Sequence, residues 1–334
     1  MARSQTSLRL LVATGLLALI PLGGWWSWQR SGPLQKEATV LVPKGTTVDQ
    51  LADRLENQGV IRSATLFKLW ARQRKLQLIR GEYTFSARTS MANVASKLRR
   101  GEIHFTNVII TPAMTAWSVQ KRLQGFIPEE TFWTLWKSPR LASSAGFPEA
   151  QNLEGLVAPA TYRLHHALEP EEILLSMVEA FKTQVYPKLE GGVLSPYQTL
   201  ILASFAEKET NVQDELPRVT GVYYHRLKIG MRLQCDPTCL YARWASGDLR
   251  LVAPNGEDLH RPSPYNTYLN GGLTPTPIAI PSAAAIEAAK SPEISNNLYF
   301  VATGHGGHNF APDLRQHNHN VDTYRKAIRG QRKK

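Results

Sequence analysis

The sequence predicts an α+β chain behind an N-terminal membrane helix, and three features carry that expectation. An uncharged run extends from Leu10 to Trp28. Short β-branched runs, each followed by a turn and a helical period, recur after it, and the stretch from Phe126 to Val193 reads mainly as helix. With 334 residues, 43% apolar and 20% charged, the chain is long enough for two or three domains with buried cores, and general disorder is excluded.

Residues 1–30 form the first element. The 19 residues from Leu10 to Trp28 lack a charged side chain, and as a helix they would span about 28 Å, enough to cross a bilayer. Arg3 and Arg9 precede the run while Trp25, Trp26 and Trp28 close it, which places the N-terminus in the cytoplasm and the body outside. A cleaved signal peptide would need small residues where Gly23-Gly24 is followed by Trp25-Trp26, so an uncleaved anchor is the expectation.

Residues 36–104 read as a small α/β module. Thr39-Val40-Leu41-Val42 is strand-like and closes at Pro43-Lys44-Gly45; Thr46-Thr47 then opens a helix carrying Val48, Leu51, Ala52 and Leu55. The same order recurs at Val108-Ile109-Ile110 with Thr111-Pro112 and a helix through Val119 and Leu123. A partial copy, Thr89 to Leu98, shows the helix without so clear a strand. Units of this size point to wall-binding modules, and the cluster Arg72, Arg74, Lys75 and Arg80 gives the first a basic side, whose plainer reading is a solvated helix face.

Lys and Arg total 39 against 27 Asp and Glu, a net charge of +12 that favours an anionic partner: nucleic acid, anionic lipid or an acidic wall polymer. The basic tail Arg329, Arg332, Lys333 and Lys334 would suit the first. An external body and the lack of an aromatic-basic motif exclude nucleic acid. Two cysteines, Cys235 and Cys239, exclude a disulfide framework and a four-Cys zinc site. His305, His308, His317 and His319 hold enough nitrogen for a metal, but Gly304, Gly306 and Gly307 among them read as a turn, and neither metal nor cofactor is expected.

The chemistry concentrates after Ser195-Pro196, an N-cap and first-turn pair. At about 100° per residue from Leu200, the apolar face of the following helix centres near 120°, Glu209 falls at about 180° and Glu207 at about 340°. Glu209 is thus the acid pressed against apolar surroundings, where desolvation favours the protonated form that a proton donor to a leaving oxygen requires. A helix-end acid paired with Lys208 or Arg218 is the plainer alternative.

Ala203-Ser204-Phe205-Ala206-Glu207-Lys208-Glu209-Thr210 resembles the active-site helix of the endolytic murein transglycosylase, or YceG-like, family. The resemblance continues through Tyr224-His225-Arg226-Leu227, Ile229-Gly230-Met231-Arg232-Leu233-Gln234, Asp236-Pro237-Thr238, Pro264-Tyr265-Asn266-Thr267-Tyr268, Leu298-Tyr299-Phe300-Val301-Ala302 and Gly306-Gly307-His308-Asn309-Phe310. Upstream, Leu153-Glu154-Gly155 with Pro159 and Thr161-Tyr162 fits as well. The resemblance implies a LysM-like module at 36–104 and a mixed α+β catalytic domain at 105–330, with a lysozyme-like active-site helix.

It also implies Glu209 as the catalytic acid of a lytic transglycosylase that cuts the MurNAc–GlcNAc bond within nascent strands and leaves 1,6-anhydro ends. Gln234, Tyr265 and Asn266 are the neutral polar side chains expected around the sugars, turn and buried hydrogen bonding being the alternative. Asp236, before Pro237, is expected to cap a helix rather than act as a second acid. The implied partners are peptidoglycan strands, the inner membrane and, as a candidate, a peptidoglycan synthase. A noncatalytic wall-binding scaffold and a hydrolytic muramidase are the rival functions.

Departures from the pattern fall at Ala160, Cys235, Cys239, Thr274, Thr276, Ile280 and Thr303. In an oxidising compartment Cys235 and Cys239 are expected to pair at least in part. Four residues apart on a helix their Cβ atoms would lie about 6 Å apart, against about 3.8 Å in a disulfide, so the pair needs the turn that Asp236-Pro237 permits.

Overall fold

A computed structural model describes residues 28–30, 32–250 and 253–331. The expected membrane span lies outside the described residues except for Trp28. That indole packs on Trp70, with ring centroids 5.2 Å apart, and adjoins the hydrophobic core of the first unit. Among the described residues no helix is long and apolar enough to cross a membrane. The chain divides into two compact units, residues 1–107 with 163–169, and 108–162 with 170–334.

In the first unit β1 (Ala38–Val42) leads to α1 (Val48–Asn57), α2 (Ala64–Gln73), β2 (Gly81–Phe85) and α3 (Met91–Arg100). Thr47 caps α1 in a reciprocal pair with Gln50, satisfying two N–H groups at the helix start. β1 and β2 are antiparallel, with Val40 opposite Tyr83 and Val42 opposite Gly81. Alternation turns Val40, Val42, Tyr83 and Phe85 onto the inner faces of Leu51, Leu55 and Phe67. The partial copy, whose strand is less clear in the sequence, has one: β2 precedes α3 as β1 precedes α1.

Of the basic cluster, Arg72 is paired with Asp49 at 2.9 Å. Residues 163–169, assigned by sequence to the larger domain, belong to this unit. Arg163 stacks over Phe105 at 4.4 Å, and His166 Nδ1 lies 2.6 Å from Glu82 Oε2.

Strands β3 (Thr106–Ile110) and β4 (Ala160–Leu164) span the boundaries between units. The second unit holds α4 (Ala116–Leu123), α5 (Glu129–Trp136), α6 (Pro139–Ser144), α7 (Pro170–Gln184), α8 (Pro196–Glu209), α9 (Leu216–Lys228), α10 (Asp236–Ala245), α11 (Gly256–Leu259) and α12 (Ala283–Lys290). A hairpin of β5 (Tyr299–Ala302) and β6 (His308–Ala311) and the helix α13 (Leu314–Gln331) complete it.

α8 is the axis of this unit. Ser195 and Gln198 cap it reciprocally, Pro196 occupies its first turn, and every residue from Thr199 to Ala206 is buried. The two polar side chains in this stretch are satisfied: Thr199 Oγ1 donates to the Leu194 carbonyl at 3.5 Å, and Ser204 Oγ donates to the Ile201 carbonyl at 2.7 Å and accepts from the Ile278 N–H at 3.0 Å. A helix enclosed on all sides belongs at the centre of a domain, and α9 and α12 pack against it. α9 approaches the chain at Glu293 so closely that a Cβ at Gly221 would lie 2.3 Å from the Glu293 carbonyl oxygen, which is why only glycine serves there.

Candidate active site

The last turn of α8 carries three charged side chains out of the core, each to a different destination. Glu207 Oε2 accepts the backbone N–H of Ser282, the N-cap of α12, at 2.9 Å. Lys208 Nζ donates to the Ala113 carbonyl at 3.3 Å. Glu209 enters a cavity of about 510 Å³, where the Tyr223 hydroxyl donates to its Oε1. Glu207, placed by the wheel on the side opposite Glu209, is half-buried and holds the start of another helix.

Burial raises the Glu209 carboxyl above its ordinary value. The Tyr223 hydroxyl draws it down, Asp236 raises it further, and the Cys235 thiol and His308 lower it. Tyr223 is itself buried, so its own hydroxyl is held well above the usual phenol range and remains a donor. Tyr223 and Arg226, three residues apart, lie along one side of α9. Arg226 fixes the next wall: its Nε donates to the Leu298 carbonyl at 2.6 Å, and its Nη1 to the carbonyls of Leu233 at 2.8 Å and Arg232 at 3.2 Å. These bonds bind the turn after α9 to the β5 strand.

Gln234 leaves that turn with φ +50°, a left-handed backbone that a non-glycine residue adopts at some cost. Its N–H donates to the Thr267 carbonyl at 3.2 Å, and its exposed side chain lines the cavity. Cys235, not Asp236, is the N-cap of α10, which corrects the expected cap. Asp236 is the first helical residue, and its Oδ1 accepts from the Tyr268 hydroxyl at 2.6 Å at the cavity edge. Both cysteines are buried and free. The expected pairing fails because the two thiols have different partners: Cys235 faces Glu209 and Tyr223, whereas Cys239, one turn along, donates to Asn266 Oδ1 at 3.3 Å.

Opposite Glu209, His308 opens β6. Its Nδ1 lies 2.7 Å from Glu215 Oε2 and its backbone N–H donates to Glu215 Oε1 at 2.8 Å. Burial alone would raise the Glu215 carboxyl, but the His308 hydrogen bonds hold it below its ordinary value. Gly307, at φ +76°, admits this carboxylate, since a Cβ there would stand 2.6 Å from Glu215 Oε1. The pair orients the imidazole and leaves Nε2 to the cavity that His308 lines.

The other histidines do not gather around a metal. His317 stacks on Tyr299 at 5.0 Å, and among the described residues no group of three His, Cys, Asp or Glu side chains is placed to hold an ion.

The structure therefore brings Glu209 and Gln234 together and places the other two expected residues elsewhere. Asn266 is 0% exposed. Its amide donates to the carbonyls of Asp258, Leu259 and Arg261, and its Oδ1 accepts from the Tyr268 N–H at 2.9 Å, so no hydrogen-bonding capacity is left for a sugar. Tyr265 bonds Thr276 at 2.9 Å and lines a different cavity. Sequence reasoning missed Tyr223, Glu215 and the role of His308. The available signal for Tyr223 was its helical spacing to Arg226; for the pair Glu215 and His308, 93 residues apart, there was none.

The profile of the YceG-like family matches residues 40–323. The chain is 27% identical over 330 residues to a protein of Bacillus subtilis named endolytic murein transglycosylase, covering 91% of each. It is 28% identical to the protein of that name from Streptococcus pneumoniae D39, over 91% of this chain and 63% of the relative's length. Among solved structures, the 2.6 Å crystal structure of a YceG-like protein from Listeria monocytogenes superimposes with a TM-score of 0.57 at 29% identity. It covers 85% of this chain and 99% of that one.

Proposed function

The chain belongs to the YceG-like family, and from that premise we propose that it is an endolytic murein transglycosylase, a lyase that cuts the MurNAc–GlcNAc bond within glycan strands and leaves 1,6-anhydroMurNAc ends. The observation that carries the reading to this site is Glu209: an acid at the open end of an otherwise buried helix, kept toward its protonated form and facing a cavity large enough for sugar rings. Protonated Glu209 gives its proton to the glycosidic oxygen as that bond breaks. The resulting carboxylate, now hydrogen-bonded by Tyr223 and Cys235, accepts the proton of the muramyl 6-hydroxyl as that oxygen closes on the anomeric carbon. The nucleophile belongs to the substrate, so the second step is intramolecular and needs no activated water.

The test is mass spectrometry of products from sacculi incubated with the purified full-length protein. Anhydro ends support the lyase; products heavier by one water identify a hydrolase; intact strands identify a scaffold.

His308 acts on the same proton. Its attraction lowers the Glu209 carboxyl, so His308→Ala is expected to move the Glu209 limb of the pH–rate profile upward and to reduce kcat on the order of tenfold to a hundredfold. Glu215→Gln should shift the limb in the same direction by less. An unchanged profile in both folded variants would remove His308 from the mechanism.

The 19 uncharged residues flanked by Arg3 and Arg9 support a single-pass inner-membrane protein with its body in the periplasm, and a C-terminal reporter active only in the cytoplasm would overturn that orientation. The order β1, α1, α2, β2 with antiparallel strands supports reading residues 36–104 as a LysM-like glycan-binding module. A peptidoglycan synthase is the partner that cleavage of nascent strands at the membrane would require.

A further inference from the structure

A second cavity, of about 360 Å³, opens at the other end of α10 and is walled by aromatic rings. Trp117 of α4 stands at its centre, with ring centroids 5.6 Å from Trp133 of α5, 6.0 Å from Trp244 and 5.4 Å from Tyr241, both of α10. Tyr265 closes one side at 4.7 Å from Tyr241. The three indoles are only half-buried, although each could bury more apolar surface in a core. Polar groups stand at the rim: the Lys137 ammonium, 5.8 Å from the Trp133 ring, and the Asn152 amide. Aromatic faces with a few convergent polar groups match a pyranose, whose C–H faces are apolar and whose edge carries hydroxyl and amide groups.

Two elements contribute residues both to this cavity and to the catalytic one. α10 starts at Cys235 and Asp236 beside Glu209 and ends with Trp244 in the aromatic wall, a rise of about 13 Å over nine residues. The loop after α11 places Tyr268 in the catalytic cavity and Tyr265, three residues earlier, in the aromatic one. A polymer held at Glu209 has further sugars to place a short distance away, and interactions remote from the reacting bond are what position that bond.

Resting on the proposed transglycosylase reading, we infer that the cavity of Trp117, Trp133, Trp244, Tyr241 and Tyr265 is a glycan subsite, stacking an N-acetylated pyranose of the same strand whose bond lies at Glu209. Lys137 and Asn152 at the cavity supply hydrogen-bond donors for the hydroxyl and N-acetyl oxygens at the edge of such a ring.

The test is calorimetric titration of the full-length Glu209→Gln protein in detergent with three probes: peptide-free murein glycan strands, peptide-bearing strands and chitin hexasaccharide. It is repeated with Trp117→Ala or Trp244→Ala added, and with Trp244→Phe as the conservative control. Each Ala variant is expected to weaken glycan binding roughly tenfold while Trp244→Phe keeps most of it. With Glu209 intact, the same substitutions should raise KM more than they lower kcat.

Unchanged affinity in both folded Ala variants overturns the subsite, even where the wild-type protein still forms anhydro ends. Weakening seen only with peptide-bearing strands also overturns it and makes the stem peptide the occupant. Failure of the wild-type protein to cleave sinks the catalytic reading instead, while the binding titration still decides the subsite. If both Ala variants misfold, Trp244→Leu, which keeps bulk but loses the aromatic face, and Lys137→Gln decide: affinity equal to that of the parent in both overturns the subsite.

Discussion

Glu209→Gln is expected to abolish strand cleavage while leaving the fold intact, and Glu207→Gln to do nearly the reverse. At position 209 the amide keeps the size of the acid and can still accept from the Tyr223 hydroxyl, but it has no proton to deliver to the glycosidic oxygen and no basicity to recover one. General acid–base assistance is worth about 10² to 10⁴ in rate, and one group serves both half-steps here, so the loss lies at the top of that range or beyond.

Glu207 has no access to the cavity; its Oε2 accepts the Ser282 N–H at the start of α12. A neutral amide there still accepts, but loses the charge that favours a helix N-terminus, a change of about 1 kcal/mol in stability with activity retained. Anhydro-product formation and urea unfolding of the two proteins separate the effects. Equal loss of activity in both, or near-normal product from folded Glu209→Gln protein, would show that the proton donor is another group.

The contrast between these two acids shows where the sequence is legible. Strand and helix starts followed from local chemistry: Thr47 with Gln50, and Ser195 with Gln198 and Pro196, satisfy N–H groups within a few residues. Glu209, read from the wheel as pressed against apolar surroundings, has its carboxyl buried and lines the cavity, for a reason the helical wheel did not contain. The wheel assumes one wet face, whereas α8 is dry from Thr199 to Ala206, and what distinguishes Glu209 is its position as the last helical residue.

What was not legible depended on distant partners. Asn266 and Tyr265 are polar residues of a motif, and nothing local says that three carbonyls from Asp258 to Arg261 take the Asn266 amide while Tyr265 turns toward Tyr241. The same holds for His308, whose role depends on a carboxylate 93 residues earlier in the chain and on Gly307 leaving room for it.

The second large effect belongs to Glu154, which the sequence marked only as part of a motif. Its side chain is 0% exposed. Oε2 accepts from the Ala116 N–H at 3.1 Å and from the Tyr241 hydroxyl at 2.9 Å, while Oε1 finds no hydrogen-bond partner among the described residues. Burial raises its carboxyl from 4.5 to about 8, against the downward pull of the Ala116 and Tyr241 hydrogen bonds and of Lys208. The folded state therefore binds the proton more tightly than the unfolded chain.

Stability from this group is complete below about pH 4.5 and is lost progressively as pH rises through about 8, because burying the ionised form opposes folding. A displacement from 4.5 to about 8 corresponds to a total on the order of 5 kcal/mol. In Glu154→Gln that slope disappears. The variant should be less stable than the wild type near pH 4, where its amide buries an extra unpartnered N–H, and more stable near pH 9. Urea unfolding of both proteins at intervals from pH 4 to pH 9 measures the difference directly, and parallel stability curves would show that Glu154 is ionised in the folded protein. Because the Tyr241 ring that Glu154 holds by its hydroxyl also walls the aromatic cavity, the same series predicts weaker glycan binding above about pH 8, as the newly charged carboxylate disturbs the packing beneath that wall.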